Sequence, residues 1–171
     1  MGHIQLDHND HKPTSIKYPL CFLAHDMDVP MNVGSLFRIA DALGVEKIYL
    51  TGKSITPPNN KINKTSRSTE RIVDYSYENN PIQVIDQLKT EGYKVITLEM
   101  TTSSIELSRV DILPNDKICL VLGSESDGVH QDLLDMSDIS VHIPMLGINS
   151  SMNVAHACSI ATYEITKRLA K

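Results

Sequence analysis

The stretch VHIPMLGINSSMNVAHACSIATYE, residues 141–164, decides how the rest of the chain is read. It opens as an apolar strand and breaks at Pro144, which cannot donate to a sheet ladder. It then crosses a polar loop and enters an alanine-rich helical pattern directly. A link between two buried elements is normally short, yet Asn149, Ser150, Ser151 and Asn153 fall within five positions here. Gly147 permits the turn, and Ser151 or Asn153 can cap the helix that follows. Capping accounts for one of four polar side chains, and the surplus suggests a binding edge.

Working outward, apolar runs of strand length alternate with amphipathic helical segments. The patterns predict strands over 18–25, 47–52, 93–100, 117–124 and 139–145. They predict helices over 33–44 and 81–92, each stopped by a glycine, a short helix over 132–138 and a final helix over 153–171. Strands that are nearly continuous Ile, Val and Leu need both sheet faces covered, so the expected class is α/β, a single domain on a parallel sheet. Ligands of such sheets gather at the carboxyl ends of the strands. That rule selects the loops after Met27, Leu122 and Ile143. Residues 54–71, SITPPNNKINKTSRSTER, read as one long polar loop, a length that usually carries function.

Composition narrows the classes. No apolar run approaches the ~18 residues of a membrane span, and no targeting segment is visible at the start, so the expectation is a soluble, cytoplasmic protein without a membrane partner. Cys21, Cys119 and Cys158 lie in apolar contexts without zinc-ligand spacing and read as buried, reduced thiols. The seven histidines show no ligand pattern, and His3, His8 and His11 sit in a polar start expected to fray, so no metal is expected. A net charge of −5 argues against nonspecific wrapping of nucleic acid. Yet Lys53, Lys61, Lys64, Arg67 and Arg71 meet only Glu70 across 19 positions, a local balance of +4 that suits an anionic partner.

The three selected loops carry the chemistry. After Met27, Asn32 and Gly34 stand at an expected helix start, where Asn caps and backbone N–H groups point outward. Arg38 interrupts an otherwise apolar helix; alone, it reads as a snorkelling side chain. After Leu122, Gly123 allows close backbone approach and Glu125 leaves the sheet; singly, this is ordinary turn chemistry. Met145 and Met152 read as apolar pocket walls, and His156 as a core or interface histidine. Neither G-x-G-x-x-G nor a glycine-rich phosphate loop occurs, which weakens ATP and NAD readings.

In this order and spacing, NVGSLFRIADALG, LVLGSESDGV and IPMLGINSSMNVAHA resemble the three signature motifs of the SpoU/TrmH branch of the SPOUT RNA methyltransferases, and the likeness runs over residues 18–171. It implies a C-terminal deep trefoil knot, an exception to the rule against threaded chains. It implies S-adenosylmethionine as cofactor and a ribose 2′-hydroxyl of tRNA or rRNA as acceptor, with tRNA favoured. It also implies a homodimer whose active sites lie near the subunit interface. Carried over by motif, Asn32, Arg38, Glu125, Ser151 and Asn153 are the expected catalytic residues. Leu98, Leu122, Gly123, Ile143, Met145 and Met152 are expected around the cofactor, and Lys61, Lys64, Arg67 and Arg71 against RNA. Residues 1–17 form an expected flexible segment without the RNA-binding domain that many relatives carry.

Met152 replaces the usual leucine, a swap that conserves volume. The expected tasks are in-line positioning and activation of the 2′-oxygen. A guanidinium is a poor base, so Arg38 is expected to hold a phosphate and stabilise the developing alkoxide. Asn32 would orient Arg38 or the ribose. Glu125 would fix Asn or Arg groups, and Ser151 with Asn153 would shape the ribose pocket. The rivals are an rRNA enzyme, a knotted RNA-binding protein that has lost catalysis, and a doubly wound nucleotide-binding module.

Overall fold

Two strands at the middle of the sheet show why the apolar runs are unbroken. In β1 (Tyr18–His25) and its parallel neighbour β6 (Lys117–Leu122), Leu20, Phe22 and Ala24 share one face with Ile118, Leu120 and Leu122. Cys21, Leu23, Cys119 and Val121 occupy the other. Each face has its own helical cover: α1 (Pro30–Leu43) and α5 (Val154–Leu169) on the first, α3 (Pro81–Thr90) and α4 (Gln131–Met136) on the second. A strand buried on both sides has no polar alternation to show.

This computed structural model describes residues 2–7, 10 and 12–171. The remaining strands are β2 (Val45–Thr51), β3 (Asp74–Glu78), β4 (Tyr93–Leu98), β5 (Ile105–Glu106) and β7 (Ile139–His142). The seven-stranded order is β3-β2-β1-β6-β4-β7-β5, every pairing parallel. Residues 2–7 and 12–16 are exposed and lie outside helix and strand. The expectation that His8 and His11 fray concerns positions outside the described residues. All three cysteines are buried and free. Among the described residues no helix is long and apolar enough to cross a membrane.

The sequence did not announce β3 or β5. DYSYE in β3 is half polar because it is an edge strand, and β5 is two residues long. Residues 54–71 are not one loop. They contain α2 (Asn60–Ser66), capped by the Asn59 side chain, which accepts from the Lys61 and Ile62 amides at 2.9 and 3.3 Å, and a 3₁₀ turn at Thr69–Arg71. Ile62, the one apolar residue of α2, is fully buried together with Ser66, so a single apolar anchor serves a helix of otherwise polar composition. The anchor explains Gly34: a Cβ there would stand 2.8 Å from the Ile62 carbonyl oxygen and from Thr65 Cβ. Its absence lets α2 lie directly on α1.

Helix α1 also starts earlier than expected. Pro30, pre-set for the first helical position, follows Val29, and no side chain caps the turn. Asn32 therefore sits buried inside the first turn rather than at the cap.

Strand β7 enters the sheet between two strands that precede it in the chain. Leu98 of β4 and Ile105 of β5 both flank Val141. From β7 the chain crosses to the opposite face as α5, where Arg168 donates to the Ser108 and Val110 carbonyls and to Glu164. The segment joining β5 to β6 is thereby tied to the far end of α5.

Candidate active site

The carboxyl ends of β4, β6 and β7 open onto a cleft of about 780 Å³, within the size range of small-ligand sites. Leu98, Val129, Ile143, Met145 and Met152 give it apolar walls. Glu99, Ser124, Glu125, Ser150, Ser151 and Asn153 supply polar groups.

The loop after β6 is closed by its own backbone. Ser124 and Gly128 exchange amide hydrogen bonds at 3.1 Å in both directions, and a Cβ on Gly123 would lie 2.1 Å from the Gly128 carbonyl carbon. Gly123 lines the cleft as expected, but what demands glycine there is the returning chain. Glu99 fastens the loop to the end of β4: one carboxylate oxygen accepts from the Val129 amide at 3.0 Å, the other from the Met100 amide at 2.9 Å.

The loop after β7 ends at Asn153, the N-cap of α5, whose side-chain oxygen accepts from the Ala155 and His156 amides at 2.9 and 3.3 Å. Of the two expected capping residues, Asn153 takes the role, and Ser151 stays exposed at the cleft. The Asn153 amide donates to Asn32 Oδ1 at 3.0 Å, and the Asn32 amide donates to Glu125 Oε1. Asn32, buried in α1, thus relays between the two cleft loops. An amide is the side chain that can accept from one and donate to the other at once.

Two expected members stand elsewhere. Leu122 is 1% exposed and packs in the core under α1, because the strand ends before the cleft begins. Arg38 projects from the exposed face of α1 and does not line the cleft of its own chain. Among the described residues no hydrogen bond or ion pair holds it. Leu98, Ile143, Met145 and Met152 line the cleft. Lys61, Lys64, Arg67 and Arg71 are exposed on and after α2. Glu70 turns inward to accept from Asn63 at 2.7 Å and from Ser66, and its side chain is 8% exposed. The outer surface of this segment is left cationic.

Reading by sequence missed Glu99 and its neighbours Met100 and Thr101. The signal was present: β4 is a buried parallel strand, and its carboxyl end belongs with the other three. The strand predicted over 93–100 absorbed Glu99 and Met100, although β4 stops at Leu98.

A tRNA (guanosine(18)-2′-O)-methyltransferase of Borreliella burgdorferi is 29% identical over 152 residues, 89% of this chain and 68% of the relative. A 23S rRNA (guanosine(2553)-2′-O)-methyltransferase RlmP of Bacillus subtilis is 28% identical over 136 residues, 80% of this chain and 53% of the relative. The chain therefore spans between about half and two-thirds of such relatives. The fold superposes with a TM-score of 0.80 on the SpoU methyltransferase AviRb from Streptomyces viridochromogenes, solved with its cofactor AdoMet, at 23% identity over 88% of this chain and 61% of that one. The profile of the SpoU rRNA methylase family matches residues 19–163, an interval that contains all three cleft loops and the Asn153–Asn32–Glu125 relay. The chain belongs to the SpoU rRNA methylase family.

Proposed function

We propose that this chain transfers the methyl group of S-adenosylmethionine to a ribose 2′-hydroxyl of RNA, tRNA in preference to rRNA. The observation that carries the reading is the hydrogen-bonded chain Asn153–Asn32–Glu125. It joins two cleft loops through helix α1 and leaves Ser151 beside the cleft. Both relatives above bear 2′-O-methyltransferase names. The preference for tRNA follows the relative matched over the larger share of both chains, and a tRNA substrate puts the site of action in the cytoplasm.

The residues present fit the cofactor. Apolar walls at Leu98, Ile143, Met145 and Met152 suit the adenine and thioether-like carbons, and the polar rim suits its hydroxyl, amino and carboxylate groups. Bound there, S-adenosylmethionine supplies a methyl group on a sulfonium, already electrophilic. The protein's own work is to place the ribose and favour its alkoxide. Asn32 holds Glu125 and Asn153 in register, and Ser151 and Asn153 form the ribose side of the rim. Arg38 supplies a fixed positive charge for the phosphate and the developing oxyanion. Because Arg38 points away from its own cleft, it serves the cleft of a second copy in a homodimer. Leu146, Ile148, Ile160 and Tyr163, all strongly exposed, provide apolar surface for that contact. The bonds of Arg168 to the Ser108 and Val110 carbonyls, which hold the far end of α5 against the β5–β6 segment, support the C-terminal knot expected from the motifs.

Incubating unmodified total RNA with labelled cofactor, followed by nuclease digestion, tests the assignment. A 2′-O-methylated nucleoside in the tRNA fraction is expected; label confined to rRNA moves the substrate, and absence of transfer removes the activity.

RNA docks on the outer surface of α2. Reversing Lys64 and Arg67 to glutamate is expected to weaken RNA binding at least about tenfold at moderate salt and to flatten its salt dependence. Filter binding across a salt series measures both, and an unchanged slope excludes this surface.

A further inference from the structure

A second polar cluster lies at the carboxyl end of β1, apart from the Asn153–Asn32–Glu125 relay. Residue 25 falls on the sheet face of Cys21 and Leu23, the face that α3 and α4 cover. There His25 Nε2 stands 3.5 Å from Asp26 Oδ2, and His130 Nε2 stands 3.6 Å from the same oxygen. All three atoms lie within 4.8 Å of one another. The two rings meet edge to face, centroids 4.9 Å apart.

The remaining atoms of two of these side chains are already engaged. The Thr51 hydroxyl is within 3.4 Å of the Ala24 carbonyl as donor, and so accepts from His25 Nδ1 at 2.9 Å. In that arrangement Nδ1 is engaged by Thr51 and Nε2 is the ring nitrogen left facing the carboxylate. Asp26 Oδ1 accepts from the Lys53 amide at 2.7 Å, leaving Oδ2 free. Such outer bonds orient metal-binding imidazoles and carboxylates in general. At 3.5 and 3.6 Å neither imidazole nitrogen is within ordinary hydrogen-bond distance of the carboxylate oxygen, and two such nitrogens converging on one oxygen suit a metal ion between them.

We propose that His25, Asp26 and His130 bind a divalent transition-metal ion of the zinc type, with solvent at the fourth position. Bonds of ~2.0–2.1 Å in a tetrahedron separate neighbouring ligand atoms by about 3.3–3.4 Å. The measured 3.5 and 3.6 Å are within a few tenths of an ångström of that spacing, and the half-exposed His130 ring has room to close the third side. Magnesium and calcium prefer all-oxygen shells, so two imidazoles select against them. His130 directly follows Val129, a wall of the cleft. The ion fastens the end of the loop behind Gly123 to β1 and braces the cleft from outside. His25 and Asp26 are adjacent but His130 lies far along the chain, so the sequence showed no ligand spacing, and the expectation of no metal yields to this proposal.

The test is calorimetric titration of Zn²⁺ into the full-length chain with His3, His8 and His11 replaced by alanine, so that the N-terminal histidines do not compete. One ion per chain is expected, with a rise in Tm on binding. His130→Ala and Asp26→Asn are each expected to lower the affinity at least about 100-fold. Both changes spare the fold: His130 is at the surface, and Asn keeps the acceptor for Lys53. Circular dichroism checks this. Absence of zinc binding in that background, undiminished binding in either variant, or Mg²⁺ binding as tightly as Zn²⁺ overturns the site. The readout uses neither cofactor nor RNA, so it stands or falls apart from methyl transfer.

Discussion

Replacing Arg38 with alanine is expected to slow methyl transfer by about 10²–10³-fold, the usual loss when one preorganised group facing a developing oxyanion is removed, while cofactor affinity stays within about twofold. The expectation follows from where the side chain stands. It is exposed on α1 and absent from the cleft of its own chain, so its removal opens no cavity and takes no wall from the pocket. Single-turnover rates measure the first quantity. Calorimetry measures the second, which suits a chain without tryptophan. A fall in cofactor affinity equal to the fall in rate would show that Arg38 acts on binding and would remove it from the chemistry.

Gly123→Ala is expected to do the reverse. The added methyl would meet the Gly128 carbonyl carbon at 2.1 Å and its oxygen at 2.2 Å, and backbone cannot rotate away as a side-chain tip can. Overpacking of this kind costs about 1–3 kcal/mol. The loop itself relieves the clash by opening, so the cost appears as a loss of roughly 10-fold to 100-fold in cofactor affinity, with a smaller effect on Tm. Unaltered affinity would show that the 123–129 loop is not part of the cofactor site. The two variants together test the homodimer: each is deficient alone, and a mixture regains activity when Arg38 of one subunit serves the intact cleft of the other. Failure of the mixture to recover any activity would place Arg38 in its own chain's chemistry.

Much of the architecture could be read before any coordinates. Strands buried on both faces are continuous apolar runs, and glycines 44 and 92 end helices by geometry that other residues resist; the positions of β1, α1, β6 and α5 followed from these. The same logic failed where burial is partial. β3 lies at the sheet edge and alternates only loosely, and Ile62 is the one apolar residue that α2 buries, too little apolar signal to distinguish it from a loop. At the site, the residue types were legible and their partners were not. Asn32 reads as a helix cap from its neighbours, yet it bonds to residues on two other loops. Glu99 was hidden by a strand boundary. His25 and His130 could be paired only by tertiary structure.

The position of β7 has a consequence for how the molecule assembles. Before residues 139–142 arrive, the facing backbone edges of β4 and β5 have no partner, and unpaired parallel edges invite association with other chains. Pairings between distant segments close slowly, so the nascent sheet carries this gap until β7 is in place. Filling it is also the act that brings Ile143, Met145 and Met152 to the cleft. A ligand that binds only the finished pocket therefore favours molecules whose sheet is complete.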